Sequence, residues 1–227
     1  MSGEPTDAPR RRGRFITLEG GEGAGKSTQA ARIVAALKGL GIPAIATREP
    51  GGTAKAEELR AALLAGIVAP LGPAAEALAF SAARVDHLDR KIKPALEEGV
   101  WVVCDRFADS TRAYQGALGH LAPQLIRAME NVVVGADRPD LTLMIDLDPE
   151  KGLARAAARR GDNSADRFEG QNTAFHRALR AAFVKIAADE PQRCALIDGA
   201  RSENDVAAEI WHEIENRLDP REWRRPL

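Results

Sequence analysis

The chain of 227 residues carries 32 Lys and Arg against 33 Asp and Glu, a formal net charge of −1. This balance gives no support to a nucleic-acid binder that works through bulk positive charge. A hydrophobic fraction of 44% and a charged fraction of 29% exclude wholesale disorder, and the length fits one large folded domain.

The hydrophobic pattern predicts strands that alternate with helices. Short β-prone runs predict strands at residues 15–19, 43–47, 100–104, 141–146 and 194–197. Apolar residues at helical spacing predict helices at residues 26–40, 57–65, 73–91, 121–134, 149–160, 167–189 and 202–218. We expect Pro94 to kink or restart the third helix and Ser202 to cap the last one. This alternation indicates an α/β fold with a five-stranded parallel sheet and helices on both faces.

A glycine-rich segment follows the first predicted strand. Residues 20–27 read Gly-Gly-Glu-Gly-Ala-Gly-Lys-Ser and match the pattern G-x-x-x-x-G-K-[ST], between a strand and a helix as that pattern requires. Glycines let backbone N–H groups turn toward phosphate oxygens, and the following helix N-terminus favours the same anion. The segment predicts a P-loop NTPase fold that binds a nucleoside triphosphate with Mg²⁺. We assign the ATP site to Gly20, Gly21, Glu22, Gly23, Ala24, Gly25, Lys26, Ser27 and Thr28.

The phosphate cradle alone does not name the reaction, because kinases, GTPases and motor ATPases share it. The strings D-x-x-G and N-K-x-D, which a GTPase should carry, are absent from the sequence. The classes of protein that remain open are a small phosphotransferase and an ATP-dependent ligase or carrier.

Charged and aromatic residues follow the next two predicted strands. Arg48 begins the run Arg-Glu-Pro-Gly-Gly-Thr, and Asp105 with Arg106 begins a run that extends to Gly116. Guanidinium groups at strand ends suit phosphate, and a carboxylate there suits Mg²⁺. Phe80 and Arg84 share one helix face, where a ring and a donor can bind a base.

These motifs together resemble those of bacterial thymidylate kinases, from about residue 15 to residue 218. The resemblance implies that Arg48 and Arg106 hold the dTMP phosphate and that Ser27 and Asp105 hold Mg²⁺. It implies that Phe80 stacks on thymine and that Arg84 donates to an exocyclic oxygen of the base. The remaining dTMP contacts that it implies are Glu22, Ser110, Thr111, Tyr114 and Gln115.

A lid is expected at residues 155–168, where a Gly-polar stretch is flanked by arginines. A closing segment can neutralise the moving phosphoryl group and exclude water. The cradle positions 21–24 hold no arginine, so the resemblance implies that the lid supplies one. The sequence leaves open whether that is Arg159, Arg160 or Arg167.

The expected reaction is ATP + dTMP → ADP + dTDP, catalysed by Lys26, Arg48, Arg106 and a lid arginine. Two alternatives stay open: another nucleoside monophosphate kinase, and a non-catalytic nucleotide-binding module. The choice between dTMP and dUMP depends on a methyl-sized pocket worth about 1–3 kcal/mol, which the sequence does not resolve.

The sequence also carries expectations about organisation and surroundings. We expect a disordered tail at residues 1–13, one domain at residues 14–218, and a C-terminal tail at residues 219–227 that either frays or docks through Trp223. No apolar run of about 18 residues predicts a membrane span. Two cysteines without a C-x-x-C pair favour the cytoplasm. The resemblance implies a homodimer, with small-molecule partners and no nucleic acid or membrane.

Overall fold

A computed structural model of the chain describes residues 11–161 and 165–223. In these residues the sheet has five parallel strands in the order β2-β3-β1-β4-β5. The strands are β1 (Phe15–Glu19), β2 (Ala44–Arg48), β3 (Trp101–Asp105), β4 (Leu141–Asp146) and β5 (Cys194–Asp198). The α/β fold class predicted from the sequence is confirmed. Because the strands are parallel, their carboxyl ends lie along one edge, and the tips of β2, β3 and β1 are neighbours there.

The helices lie on both faces of the sheet. They are α1 (Lys26–Gly39), α2 (Ala54–Leu64), α3 (Gly72–His87), α4 (Lys93–Glu97), α5 (Ala108–Thr111), α6 (Pro123–Val133), α7 (Pro149–Arg160), α8 (Thr173–Asp189), α9 (Glu203–Leu218) and α10 (Pro220–Trp223). Wider π-type turns occupy Leu88–Ile92 and Arg112–Leu118.

Neighbouring residues of β1 pack into separate cores, because helices cover both faces of the parallel sheet. Ile16 and Leu18 pack in the cluster that includes residues of α1 and α9. Phe15 packs in a second cluster with Leu88 and Phe107, where the Phe15 and Phe107 rings meet edge to face at 4.9 Å. The central strand therefore has a covered surface on each side, and only its tip is free to form a site.

The structure corrects the bounds of several predicted helices and confirms the restart near Pro94 and the cap at Ser202. The helix predicted from residue 167 begins only at Thr173, because the Asn172 side chain accepts a hydrogen bond from Phe175 N at 2.9 Å and caps it there. The long third helix ends at His87, and the chain restarts as α4 with proline in its first turn. Ser202 caps α9 by accepting from Asp205 N at 3.2 Å.

Part of the predicted C-terminal tail is ordered as α10. The Trp223 ring meets the buried Trp101 ring edge to face at 5.6 Å, and Trp223 Nε1 donates to Arg12 O at 3.1 Å. The outermost predicted tail residues, 1–10 and 224–227, lie outside the described residues, and the domain limits stay a prediction.

In the part of the chain that the structure describes, no single helix has both the length and the apolar character needed to cross a membrane. A pair of helical segments reaches that length and apolar character together, but it is bent by 76°; the segments are Ala54–Leu64 and Ala69–Glu97.

Candidate active site

The tips of β1, β2 and β3 open onto one cavity. The residues proposed for both substrates line it together: Glu22, Gly23, Ala24, Gly25, Lys26, Ser27, Arg48, Phe80, Arg84, Asp105, Arg106, Ser110, Thr111, Tyr114 and Gln115. Gly20, Gly21 and Thr28 belong to the predicted cradle but are not among its lining residues. The phosphate cradle and the arginine pocket therefore face each other across a shared space.

The cradle follows β1 and ends where α1 begins. Gly23 and Gly25 have φ of 66° and 92°, conformations that residues with a Cβ adopt rarely. Lys26 is 7% exposed, and its Nζ donates to Gly20 O at 3.2 Å and Gly21 O at 2.7 Å. Burial and the nearby Arg106 lower the pKa of Lys26. The lysine folds back onto its own loop and has to turn outward to meet a phosphate.

The cradle also touches the first turn of α7 through main-chain atoms. A Cβ on Gly23 would overlap the carbonyl oxygen of Gly152, and a Cβ on Gly152 would overlap the carbonyl oxygen of Glu22. Only glycine at both positions allows this approach. The helix that leads into the predicted lid therefore rests directly on the phosphate loop.

Ser27 and Asp105 meet at the point proposed for Mg²⁺, where Ser27 Oγ donates to Asp105 Oδ2. Both groups offer the hard oxygen atoms that Mg²⁺ prefers. Among the described residues no group of three or more His, Cys, Asp and Glu side chains can hold a metal. Two oxygen ligands from the protein suit Mg²⁺, which keeps several waters and binds substrate phosphates.

Arg106 is the centre of the acceptor pocket. Its Nη2 donates to Glu22 Oε1 at 2.6 Å, its Nη1 donates to Gly20 O at 3.0 Å, and its guanidinium lies 5.5 Å from the centre of the Tyr114 ring. Burial acts to raise the pKa of Glu22, but Arg106 and Lys26 outweigh it and lower that pKa to about 2. Tyr114 OH donates to the same Glu22 oxygen at 3.1 Å. Glu22 thus joins the cradle to the arginine and the aromatic ring.

The sequence reading missed a buried carboxylate, Glu19, that contacts Arg106 through Ser110. Glu19, the last residue of β1, is 0% exposed and accepts hydrogen bonds from Phe107 N at 2.7 Å and Ser110 Oγ at 2.7 Å. Burial and the charge of Asp109 raise the pKa of Glu19 to about 7. A glutamate at the end of an apolar run was the available signal. Ser110 is therefore engaged with Glu19 as well as facing the cavity.

The base end of the cavity contains the predicted ring and donor. The ring centres of Phe80 and Phe168 are 6.3 Å apart. The Phe168 ring in turn meets the Tyr114 ring edge to face, with the ring centres 5.1 Å apart. Arg84 is 5% exposed and donates through Nη2 to Thr111 Oγ1 at 3.2 Å. Phe168 also lines the cavity and was missed, because residues 161–166 before it carry no motif.

A third missed residue, Arg60, lies near Arg48. Arg48 is half exposed and donates to Glu57 Oε2 at 3.1 Å. Arg60, on α2, lines the same cavity and donates to Pro50 O at 2.8 Å. Burial, together with Arg48, lowers the pKa of Arg60. Arg60 carries no motif, and only its place on the helix that follows the Arg48 loop marks it.

The three candidate lid arginines occupy different places. Arg159 lines the cavity, 65% exposed, and its Nη2 lies 3.6 Å from Glu169. Arg160 donates to Glu169 Oε2 at 2.7 Å, and Arg167 is paired with Glu76 with its guanidinium 5.0 Å from the Phe168 ring. Neither Arg160 nor Arg167 lines the cavity. Residues 162–164 of the predicted lid lie outside the described residues.

A glycine-rich anion cradle opposed by a second pocket rich in arginine defines a P-loop kinase that phosphorylates a small acceptor. The family model described as thymidylate kinase matches residues 18–210. The chain belongs to the thymidylate kinase family.

Similar proteins support this assignment along nearly the whole chain. The sequence is 53% identical to the thymidylate kinase of Bradyrhizobium diazoefficiens over 97% of this chain and 96% of that protein. It is 54% identical to the thymidylate kinase of Rhodopseudomonas palustris strain TIE-1 over 91% of this chain and 90% of that protein. The crystal structure of thymidylate kinase from Ehrlichia chaffeensis is similar with a TM-score of 0.72 and 32% identity, covering 89% of this chain and 99% of that one.

Proposed function

We propose that this chain transfers the γ-phosphoryl group of ATP to dTMP, giving ADP and dTDP. The observation that carries the proposal is the single cavity lined by Lys26 on one side and by Arg48 and Arg106 on the other. This arrangement suits two phosphate-bearing substrates that meet between the cradle and the arginines. The family membership of the chain supports the same reaction.

The donor half of the site binds ATP through the cradle. The backbone N–H groups of the loop and the N-terminus of α1 hold the phosphates. Lys26 leaves its bonds to Gly20 and Gly21 and reaches the β- and γ-phosphates. Ser27 and Asp105 are the residues that would hold Mg²⁺, which when bound neutralises charge on the phosphates.

The acceptor half binds dTMP. Arg48, Arg60 and Arg106 face its phosphate, Phe80 stacks on the base, and Arg84 donates to a base oxygen. Tyr114 packs under the sugar, with Glu22, Ser110, Thr111 and Gln115 around it. The phosphate monoester is already ionised near neutral pH, since its second pKa is about 6, so the enzyme needs no strong general base. Its contribution is positioning and charge compensation.

Arg159 is the lid arginine that the cavity favours, because it lines the space between the two halves while its pairing with Glu169 is long. An arginine that moves toward the transferred group stabilises charge in the transition state. We expect Arg159→Ala to lower kcat by about 10²-fold or more, with smaller losses for Arg160→Ala and Arg167→Ala. A larger loss at Arg160 or Arg167 would reassign this role.

Exposed apolar residues support a homodimer. Leu78 and Val85 lie seven residues apart on α3, 61% and 41% exposed, and Leu125 and Val132 lie seven apart on α6, 44% and 87% exposed. Residues seven apart share one helix face, and large exposed apolar patches mark interaction surfaces. We propose that these faces pair two copies of the chain. A cytoplasmic location stays a prediction.

The test is ADP release measured with ATP and, in turn, dTMP, dUMP, dCMP and dGMP. We expect release to require an acceptor and to be fastest with dTMP. Preference for a purine acceptor contradicts the proposal and favours another nucleoside monophosphate kinase. Nucleotide binding without acceptor-dependent release favours the non-catalytic module.

A further inference from the structure

Behind Arg84 lies a buried chain of polar side chains that the substrate contacts do not include. Arg84 Nε donates to Glu49 Oε2 at 2.7 Å. The other carboxylate oxygen of Glu49 faces His87 Nδ1 at 3.1 Å, and His87 Nε2 faces Thr47 Oγ1 at 2.7 Å. Glu49 and His87 are 4% and 0% exposed. A carboxylate and a histidine buried this deeply have to be hydrogen-bonded, and here each has a partner on both sides.

The donors and acceptors in this chain can be assigned from one end to the other. An ionised carboxylate only accepts hydrogen bonds, so His87 Nδ1 carries a proton and donates to Glu49. In the neutral ring, Nε2 then accepts from the Thr47 hydroxyl. Glu49 accepts from both Arg84 and His87, so its two oxygens fix the distance and angle between those side chains.

The guanidinium of Arg84 is held on three sides. Nε is bound by Glu49, and Nη2 donates to Phe107 O at 3.1 Å and Thr111 Oγ1 at 3.2 Å. Its carbon lies 5.0 Å from the centre of the Phe107 ring. In the described part of the chain Nη1 has no hydrogen-bond partner, and Arg84 lines the cavity. Its plane is therefore fixed while one amino group remains for a ligand.

The same hydrogen-bonded side chains also support the loop that carries Arg48. Glu49 directly follows Arg48, and its backbone N donates to Asp105 O at 2.9 Å. A Cβ on Gly52, which has φ of 85°, would collide with the His87 ring and the Thr47 hydroxyl. The loop thus lies directly against the buried histidine. One residue, Glu49, connects the phosphate end of the pocket to its base end.

We propose that Glu49, backed by His87, is a positioning residue that aims the free amino group of Arg84 and makes the base end of the pocket select an acceptor with a ring oxygen substituent over one with an amine. Arginine has donors and no acceptor. An Arg84 held in place can therefore donate to a base oxygen, whereas an amine on the base would face a second donor. Such a mismatch of polar groups costs affinity because both stay unpaired. This inference rests on the proposed function, since it takes dTMP as the acceptor.

The first experiment measures dTMP and dCMP affinity by calorimetry and turnover by ADP release, for wild type and Glu49→Gln. The glutamine has one carbonyl oxygen and one amide NH₂ group, so one of the two oxygens that face Arg84 and His87 is replaced by an uncharged donor. We expect dTMP affinity to fall about tenfold and the preference for dTMP over dCMP to narrow by a similar factor. The KM for ATP should stay within about twofold. Equal losses for both substrates would overturn the proposal.

A double-substitution cycle tests whether Glu49 acts through Arg84. Arg84→Gln alone should weaken dTMP binding, and Glu49→Gln added to it should change affinity by less than about twofold. Additive losses would show that Glu49 acts by another route. The matched control is Glu213→Gln on α9, whose carboxylate pairs with Arg217 at 2.7 Å, and it should leave both affinities unchanged.

Substitution of His87 gives an answer that does not depend on the folding of the Glu49 variant. His87→Asn keeps a donor near the position of Nδ1, whereas His87→Leu removes it. We expect the asparagine to restore most of the dTMP affinity that the leucine loses, with thermal unfolding used to confirm that both variants fold. Equal impairment of the two would overturn the role of His87. If wild type binds dTMP without turnover, the proposed reaction fails while the affinities still decide the positioning role. If it does not bind dTMP, both proposals fail.

Discussion

Three arginines of the proposed acceptor pocket, Arg48, Arg84 and Arg106, already have a carboxylate partner. Arg106 pairs with Glu22 at 2.6 Å, and Arg84 pairs with Glu49 at 2.7 Å. Pairing keeps these cations from repelling one another before the substrate arrives and fixes their geometry. The more exposed Arg48 pairs with Glu57 at 3.1 Å, where solvent weakens the interaction. Of these three arginines, Arg48 has the partner that solvent screens most, so the substrate phosphate competes for it most easily.

The cradle lysine provides the first prediction. Lys26→Ala removes the only side-chain cation of the loop, and we expect kcat to fall by about 10²–10³-fold with little change in the unfolding midpoint. ADP release with saturating dTMP measures the first, and thermal unfolding measures the second. Turnover close to that of wild type would contradict the mechanism.

The second prediction concerns the buried Glu19. Its pKa is raised from 4.5 to about 7 in the folded protein, so between these values the native state holds a proton that the unfolded state has lost. Stability from this group is therefore present at low pH and falls as pH rises through that window. The unfolding free energy of wild type should fall by about 1–3 kcal/mol relative to Glu19→Gln between pH ~5 and pH ~8.

Urea unfolding at a series of pH values measures this difference. The control Glu213→Gln, at a partly exposed glutamate on α9, should follow wild type at every pH. Parallel curves for wild type and Glu19→Gln would show that Glu19 is ionised throughout, and the assignment of a proton to it would be wrong.

At the scale of elements, the contact between the cradle and α7 links two parts of the site. Gly23 and Gly152 meet through their backbones, and α7 ends in the arginines of the predicted lid. A helix that rests on the phosphate loop can respond when ATP moves that loop. The close approach of glycines is thus a feature of the site as well as of packing.

The third prediction follows from this contact. Gly152→Ala places a methyl group against the carbonyl of Glu22, so α7 has to move away. We expect a loss of about 1–3 kcal/mol in stability and a rise in the KM for ATP. Gly39→Ala is the matched control, because nothing lies within 4 Å of a Cβ there. The control should be neutral or slightly stabilising. An unchanged KM for ATP in Gly152→Ala would separate α7 from nucleotide binding.

At the scale of the whole molecule, sheet order decides where the substrates meet. The order β2-β3-β1 brings the tips that carry Arg48, Asp105 and the cradle side by side. Helices α3 and α6 contact each other and carry the exposed Leu78, Val85, Leu125 and Val132. If two copies pair there, the base end of the pocket, which is formed partly by α3, is supported by the interface.

The fourth prediction tests this pairing. Leu78→Asp puts a charge into the apolar face, and burying an unpaired charge is costly. We expect the protein to change from dimer to monomer in light scattering coupled to size exclusion. Leu196→Asp, at a leucine that is 47% exposed on β5, should leave the mass unchanged. A monomeric wild type would contradict the dimer.

The sequence predicted the features that depend on neighbours along the chain. A short apolar run placed β4 at residues 141–146 and a helical pattern placed α7 at residues 149–160 without error, because both signals lie in neighbouring residues along the chain. The cradle was readable because its glycines, lysine and serine have fixed spacing. The start of α8 was missed because the pattern continues through residues 167–172, while a local cap at Asn172 decides where the helix begins.

The sequence by itself determined the fold class, the cradle and the residue types of the acceptor pocket, since each is encoded by short-range pattern. Only the tertiary structure decided which partners those residues have. Glu19, His87 and Arg60 carry no motif, and Glu49 lies in the run that Arg48 begins but had no role assigned to it. The importance of these residues comes from burial and from their contacts in the folded protein. Burial removes water as a partner, so position in the folded molecule decides what a carboxylate or a histidine does.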